Sequence, residues 1–330
     1  MLILTKSVMI MMISFILSII TGLIIIPILK KFKANQRINI YLEETHKKKV
    51  GTPTMGGLIF ITPTILVTFI LIMLGKMNLS YSLVIVVLTF LSYGLLGFID
   101  DFLIVKKNRN KGLTETTKLI SQLVIAVAFF YLFMRAGNEP LLWIHSLNIK
   151  LSIGWLYGVL ILLVLVASSN AVNITDGLDG LAGGLSVIAF LAFGIISFGT
   201  GWLDGYEEVA LFCFSLIGSL LGFLIFNVNP AKVFMGDTGS LALGATLGAI
   251  AIITRHELLL VIIGIVFVIE TMSCVIQRVY YKFTKKRIFL MTPIHHTFEK
   301  LGWDERDIVK LFWIIGLIGA MAAIIYGVWW

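Results

Sequence analysis

The sequence predicts an all-α polytopic membrane protein of about ten transmembrane helices, organised as one integral membrane domain over residues 1–330. Three observations carry that prediction. The chain is 58% apolar and 13% charged, with mean hydropathy +1.00, whereas a soluble domain is nearer half apolar and a quarter charged. Ten apolar runs are each about long enough to cross a bilayer. Twenty-one of the 26 Lys and Arg residues fall on one side when the loops are counted alternately.

The runs lie at 7–29, 57–75, 81–99, 117–135, 152–168, 181–199, 208–226, 239–254, 258–280 and 308–328. The first, Ser7 to Leu29, is longer than a signal-peptide core of roughly 7–15 residues. It is followed by Lys30, Lys31, Lys33 and Arg37, so it reads as a retained span. Ten spans put both termini on one side, and the positive-inside rule makes that side the exterior. The same rule accounts for the net charge of +8 without a nucleic-acid partner. Cys213 and Cys274 sit inside apolar runs, which implies small packed hydrophobes and no disulfide.

The acidic residues then become informative. Asp100, Asp101, Asp176, Asp179 and Asp237, with His295 and His296, all fall at the cytoplasmic ends of spans or in cytoplasmic loops. Asp204, Glu207 and Glu208 fall in an exterior loop. The third span ends in Gly97-Phe98-Ile99-Asp100-Asp101-Phe102. Two carboxylates at a membrane boundary cost several kcal/mol unless they are hydrated, paired or metal-bound. Neighbouring residues on a helix point about 100° apart, so the pair need not hold one ion together. The plainer reading is a helix end paired with Lys106 or Lys107.

The segment Asn170-Ala171-Val172-Asn173-Ile174-Thr175-Asp176-Gly177-Leu178-Asp179-Gly180 interrupts apolar sequence with two Asn and two Asp. Irregular polar backbone at membrane depth is tolerated where it lines a cavity, and a helix start near Asp179 presents N–H groups to an anion. A tight turn is the alternative. The segment from Asn227 to Ser240 repeats the theme, with Asp237 placed either to cap the eighth span or to hold a divalent cation. Pro293-Ile294-His295-His296 lacks the spacing of a helical zinc site; phosphate contact or proton transfer suits it better. Two basic clusters, Lys47 to Lys49 before Gly51-Thr52-Pro53-Thr54 and Lys282 to Arg287, read most simply as attraction to anionic lipid. Lys49 and Lys118 stand apart, the latter at the mouth of the fourth span. Glu270 lies within the ninth span, where intramembrane acids are functional candidates.

Carboxylates suit Mg²⁺, which binds through one or two of them plus substrate phosphates; lysines and histidines stabilise the remaining phosphate charge. Asp, Lys and His above a hydrophobic bundle therefore suit phosphoryl transfer between a soluble substrate and a lipid-borne one. A transporter would instead place charge near the bilayer midplane, where only Glu270 lies.

In the motifs Gly51–Gly57, Gly97–Asp101, Asn170–Gly184, Asn229–Gly244 and Pro293–His296, taken in order over nearly the whole chain, the sequence resembles the polyprenyl-phosphate N-acetylhexosamine-1-phosphate transferase family. Within it, the likeness is to the bacterial branch that acts on muramoyl-pentapeptide. The resemblance implies transfer of phospho-MurNAc-pentapeptide from UDP-MurNAc-pentapeptide to undecaprenyl phosphate, with lipid I and UMP as products. It implies Mg²⁺ as cofactor, a homodimer, and a site facing the cytoplasm of the bacterial inner membrane. By position it makes Asp100 and Asp101 the acidic pair and Asp237 the metal ligand. Asn173, Asp176 and Asp179 become the uridine and pyrophosphate region, and Lys118, Asn227, Gln277, His295 and His296 further active-site positions. Lys49 and Thr54 become the first cytoplasmic loop of the site. A transferase for UDP-GlcNAc is the nearest alternative. Thr297 stands where the family has a third histidine, which argues against an essential role for that position.

Overall fold

The computed structural model describes residues 2–32, 49, 51–107, 112–144, 147–201, 203 and 205–329. Lys33, Arg37, Lys47, Lys48 and Asp204 lie outside them. The described residues form twelve helices and one two-stranded hairpin. In order these are α1 (Leu2–Lys31), α2 (Leu58–Met73), α3 (Tyr81–Lys107), α4 (Glu115–Arg135), β1 (Leu141–Ile144), β2 (Ile149–Ser152), α5 (Leu156–Thr175) and α6 (Leu181–Gly199). They continue as α7 (Tyr206–Asn227), α8 (Gly236–Ile253), α9 (Leu259–Ile263), α10 (Ile265–Thr284), α11 (Ile294–Lys300) and α12 (Glu305–Trp329).

Among the described residues, eight helices are long and apolar enough to cross a membrane: α1, α3 to α8 and α12. The apolar α2 is shorter, at 16 residues. The protein is therefore a polytopic helical membrane protein. The run expected as one ninth span is divided, with α9 and α10 meeting at Gly264, whose φ of −93° and ψ of 23° leave the helical region. The backbone of Ile262 at this break is closely approached by Gly319 of α12.

Helices α7 and α8 are the most buried and form the centre, α7 exposing only Leu221 and Ile225 among its apolar residues, while α1, α4, α5 and α12 each keep an exposed apolar face. Exposed leucine and isoleucine on so many helices is what lipid contact requires. Lipid supplies no hydrophobic drive between helices, so small residues and polar contacts must hold them together. Gly236, Ser240, Gly244 and Gly248 repeat every fourth position on α8; at Gly244 that face meets the backbone of Ser168 on α5. Ser14 of α1 bonds Ser215 of α7 at 2.9 Å, and Ser18 donates to Ser219 O at 2.6 Å and to Ile59 O of α2 at 3.1 Å.

One end of the bundle carries the hairpin, paired antiparallel with Leu141 opposite Ser152. Arg255 ties it down by donating to Leu141 O at 3.1 Å, its guanidinium lying over the rings of Phe133 and Tyr157. The other end gathers the C-termini of α3, α5 and α7, the N-termini of α4, α6, α8 and α12, and helix α11. The loops expected to share one face do share it.

Candidate active site

The site begins where α3 ends against the start of α8. Gly97 permits the approach, since a Cβ there would sit 2.0 Å from the Asp237 carbonyl oxygen. Asp100 and Asp101 point to different partners, as their 100° separation requires. Asp101 is buried and receives three donors: Asp237 N–H at 3.2 Å, Thr238 N–H at 2.9 Å and the Thr238 hydroxyl at 2.6 Å. The first N–H groups of a helix lack internal partners, and Asp101 supplies them from another helix. Asp237 lies inside the first turn of α8 and does not cap it.

Asp237 is thereby fixed with its carboxylate outward. Its Oδ2 accepts from Lys118 Nζ at 2.7 Å and its Oδ1 from Asn173 Nδ2 at 2.8 Å. Lys118 also pairs with Asp100 at 3.0 Å, and Asp100 Oδ1 accepts the Leu113 N–H at 2.6 Å. One ammonium thus holds two carboxylates from different helices. The alternative pairing of these acids with Lys106 or Lys107 is not formed among the described residues; Lys118, in the first turn of α4, takes that place.

The segment read as irregular polar backbone is helical through Thr175, and only residues 176–180 turn before α6. Asn170 and Asn173 therefore ride on α5. Asp176 caps its end, half-buried, and no side-chain hydrogen bond reaches its carboxylate among the described residues. Burial, then the nearby charges of Asp237, Asp101 and Asp179, push its carboxyl up to about 7.

The first cytoplasmic loop docks on the segment before α8. Phe234 N–H donates to Pro53 O at 2.8 Å, and Gly56 and Gly57 N–H donate to Phe234 O and Met235 O at 2.8 and 2.9 Å. Thr54 is buried there. At Gly236 φ is +72°, and a Cβ would lie within 2.6 Å of both Thr54 Oγ1 and Asp101 Oδ2, so only glycine fits.

A second polar network flanks the first. Lys49 pairs with Asp179 at 2.8 Å and with Glu305 at 2.6 Å. Burial alone would lower the Lys49 ammonium, but Glu305 and Asp179 outweigh it and hold the group above its ordinary value. Asp179 Oδ2 accepts the Ala231 N–H at 3.0 Å; Glu305 accepts the Asp179 N–H at 2.7 Å and Asn229 Nδ2 at 3.1 Å. Glu305 went unremarked in the sequence because it looks like any first-turn acid of a helix. Asn227 is buried, its amide spent on the Gly180 N–H at 3.2 Å and the Val233 carbonyl at 3.0 Å. It shapes the loops rather than facing the carboxylates.

His295 lies on α11, fully buried, with Nδ1 3.0 Å from Oε2 of the equally buried Glu270. Its Nε2 has no hydrogen-bond partner among the described residues and faces Gly177, where a Cβ would approach to 2.4 Å. A carboxylate at Nδ1 fixes the ring's orientation and tautomer, which gives Glu270 the part its sequence position left open. His296 Nδ1 is 2.5 Å from Glu299. The Thr297 hydroxyl donates to Met291 O at 2.5 Å, so the third position serves the loop. Gln277 stands apart from the carboxylates, its Oε1 accepting from Ile288 and Phe289 N–H at 3.0 and 3.1 Å. Cys213 and Cys274 are free thiols.

Among the described residues no three Asp, Glu, His or Cys side chains converge as a ready-made metal cage. Oxygen donors with an unbonded carboxylate at Asp176, close enough to Asp237 for their charges to interact, fit a hard divalent cation that keeps most of its other positions for phosphate and water.

Residues 83–255 match the sequence profile of glycosyl transferase family 4. The chain belongs to that family. The matched span runs from α3 through α8 and so contains Asp100, Asp101, Lys118, Asn173, Asp176, Asp179, Asn227 and Asp237. Lys49, Thr54 and the histidines fall outside it but inside the alignments with whole relatives. The chain is 46% identical over 316 residues to the phospho-N-acetylmuramoyl-pentapeptide-transferase of Geobacillus sp. (strain WCH70), covering 96% of each chain. It is 46% identical over 319 residues to that of Geobacillus thermodenitrificans (strain NG80-2), covering 97% of each. The enzyme of Bacillus mycoides (strain KBAB4) is 46% identical over 317 residues, with 96% of each chain covered. Within glycosyl transferase family 4 the chain therefore falls among the phospho-N-acetylmuramoyl-pentapeptide transferases.

Proposed function

We propose that this chain transfers phospho-MurNAc-pentapeptide from UDP-MurNAc-pentapeptide to undecaprenyl phosphate, giving lipid I and UMP, at the cytoplasmic face of the bacterial inner membrane and as a homodimer. The observation that carries the reading is the Lys118 ammonium held between Asp100 and Asp237 at 3.0 and 2.7 Å, with Asp176 close enough to Asp237 for their charges to interact. The 21 Lys and Arg counted on the cytoplasmic side support the sidedness.

A nonbridging oxygen of undecaprenyl phosphate attacks the β-phosphorus of the donor. The bond from that phosphorus to the bridging oxygen breaks, and UMP departs with the electron pair. Lys118 moves from pairing carboxylates to neutralising phosphate charge as it develops, a role preorganised donors fill at low cost. Asp100 holds that ammonium in place and takes the proton of any protonated acceptor phosphate. Asp237 and Asp176 would hold Mg²⁺, which when bound neutralises the pyrophosphate and polarises the breaking bond. Lys49, anchored by Glu305 and Asp179, binds donor phosphate at the other side of the Asp176 turn, and Asn173 keeps Asp237 aligned.

Neither member of the acidic pair is placed as a nucleophile. Asp101 is 5% exposed and carries three donors, and Asp100 is 2% exposed and paired. That favours direct displacement over a covalent phospho-sugar enzyme.

The test is UMP release by the detergent-purified protein given undecaprenyl phosphate, Mg²⁺ and either UDP-MurNAc-pentapeptide or UDP-GlcNAc. Turnover of the pentapeptide donor alone, lost when the metal is chelated, is expected. Turnover of UDP-GlcNAc instead would overturn the assignment of donor.

A further inference from the structure

A cavity of about 630 Å³ opens between the cytoplasmic end of α10 and the segment that leads into α11. Its walls include Cys274, Gln277 and Arg278 from α10, Arg287 and Thr292 from the connecting segment, and Lys300 from the last turn of α11. Among the described residues three of those lining it are cations and none is acidic. Arg278 and Lys300 make no ion pair among the described residues, and Arg287 spends one N–H on the Leu290 carbonyl at 3.4 Å. The wall is built rather than loose: Gln277 pins residues 288 and 289, and Thr297 pins Met291. Such a half-open cavity gathers positive charge without an acid partner among the described residues, so its ligand carries an anion on a body large enough to fill it.

The position of the cavity identifies the ligand. His295, in the first turn of α11, packs on Gly177 next to Asp176 in the chain, and the helix ends at Lys300. Five residues of helix advance about 7.5 Å. An extended pentapeptide reaches about 17 Å. A donor whose reacting phosphate lies at Lys118 and Asp237 can therefore lay its peptide along α11 and deliver its far end to the cavity. That far end is a carboxylate, which arginine forks bind in two parallel hydrogen bonds. Lipid head groups already find charge on the exposed Lys282, Lys285 and Lys286 nearby, which carry no fork for a carboxylate.

We propose that this cavity is the subsite for the C-terminal carboxylate of the donor's peptide, gripped by Arg278, Arg287 and Lys300. The proposal rests on the transferase reading above, and it names the part of the protein that would separate a peptide-bearing donor from a bare UDP-sugar.

The test compares the natural donor with its C-terminal amide, using wild type and the combined variant Arg278→Gln, Arg287→Gln, Lys300→Gln. All three side chains are exposed, and monodisperse elution in detergent checks the fold. For wild type, amidation is expected to raise KM about tenfold, the effect of losing a charge-assisted hydrogen bond. For the variant, KM for the acid donor rises by about the same factor, kcat stays within about twofold, and amidation has no further effect. A variant that raised KM for the acid and for the amide donor by the same factor over wild type would overturn the proposal. So would a rise confined to the KM for undecaprenyl phosphate, which would mark the cavity as a lipid site. Wild-type protein inactive on both donors would instead overturn the transferase reading on which the proposal stands.

Discussion

Replacing Asp101 by alanine separates a positioning carboxylate from a reacting one. In the folded protein Asp101 takes two backbone N–H donors at the start of α8 and the Thr238 hydroxyl. The hydroxyl can rotate to another acceptor; the two N–H groups cannot. A buried donor left without a partner costs about 1–3 kcal/mol, so the pair sets a range of about 2–6 kcal/mol. Water reaching the turn beside the partly exposed Asp237 brings the expectation to the lower half, about 2–4 kcal/mol, a range that starts at the upper end of measured helix caps, about 2 kcal/mol. The melting temperature in detergent should fall by several degrees, and kcat should fall with it because Asp237 loses its anchor. Asp100→Asn is the contrast, since it keeps an acceptor for the Leu113 N–H. It should leave the melting temperature within about 2 °C while lowering kcat about 100-fold or more. Thermal unfolding followed by tryptophan fluorescence, beside UMP-release kinetics, reads both. An Asp101→Ala protein that melts like wild type yet is inactive would refute the capping argument and put Asp101 among the reacting groups.

Three further expectations follow from the same geometry. Glu305→Gln weakens the anchor of Lys49 and leaves Asp179 as its remaining acid partner, so KM for the UDP donor should rise about tenfold with kcat nearly unchanged; an unchanged KM would remove Lys49 from the donor site. Glu270→Gln keeps the hydrogen bond to His295 but not its charge. The expected loss in kcat is about 10-fold to 100-fold with stability preserved, and full activity would show that the ring needs no carboxylate behind it. The Asp176 carboxyl sits at about 7 when folded, against an ordinary 3.8. In that window the folded state holds a proton that the unfolded chain has lost, so stability should fall as pH rises from about 4 to about 7 and level off above. With chelator present, Asp176→Asn should flatten that slope, and Mg²⁺ should flatten it in wild type; a slope unaffected by both would place the titration elsewhere.

Much of this was legible in the sequence for physical reasons. Apolar runs of bilayer length and one-sided lysines identify a membrane bundle and a common face, because lipid leaves few other ways to satisfy a backbone. The acids stand out because charge at that boundary is costly unless it is used. The partners of those acids were less legible. Asp101 caps a helix that starts 135 residues after it, and no local pattern signals a cap supplied in trans. Glu305 and Glu270 acquire their roles only once α12 meets the first loop and α11 folds against α10. The family resemblance makes Asn227 and Gln277 active-site positions, yet their amides are largely occupied by backbone. Helix α5 ran on through Asn170 and Asn173 because a neighbouring helix supplies Asp237 and Ser240 as partners for Asn173, at 2.8 Å each. The break between α9 and α10 needed knowledge of which helix passes Gly264.

The central claim is that the carboxylates here position and neutralise while the lipid phosphate itself attacks. Its most direct test is rapid-quench UMP release by stoichiometric protein freed of endogenous prenyl phosphate, given UDP-MurNAc-pentapeptide and Mg²⁺ but no acceptor. Direct displacement predicts no UMP until undecaprenyl phosphate is added, then one equivalent of UMP for each lipid I. A burst of one UMP per active site without acceptor, retained by Asp237→Asn or lost with Asp100→Asn alone, would contradict it and make a side chain the nucleophile.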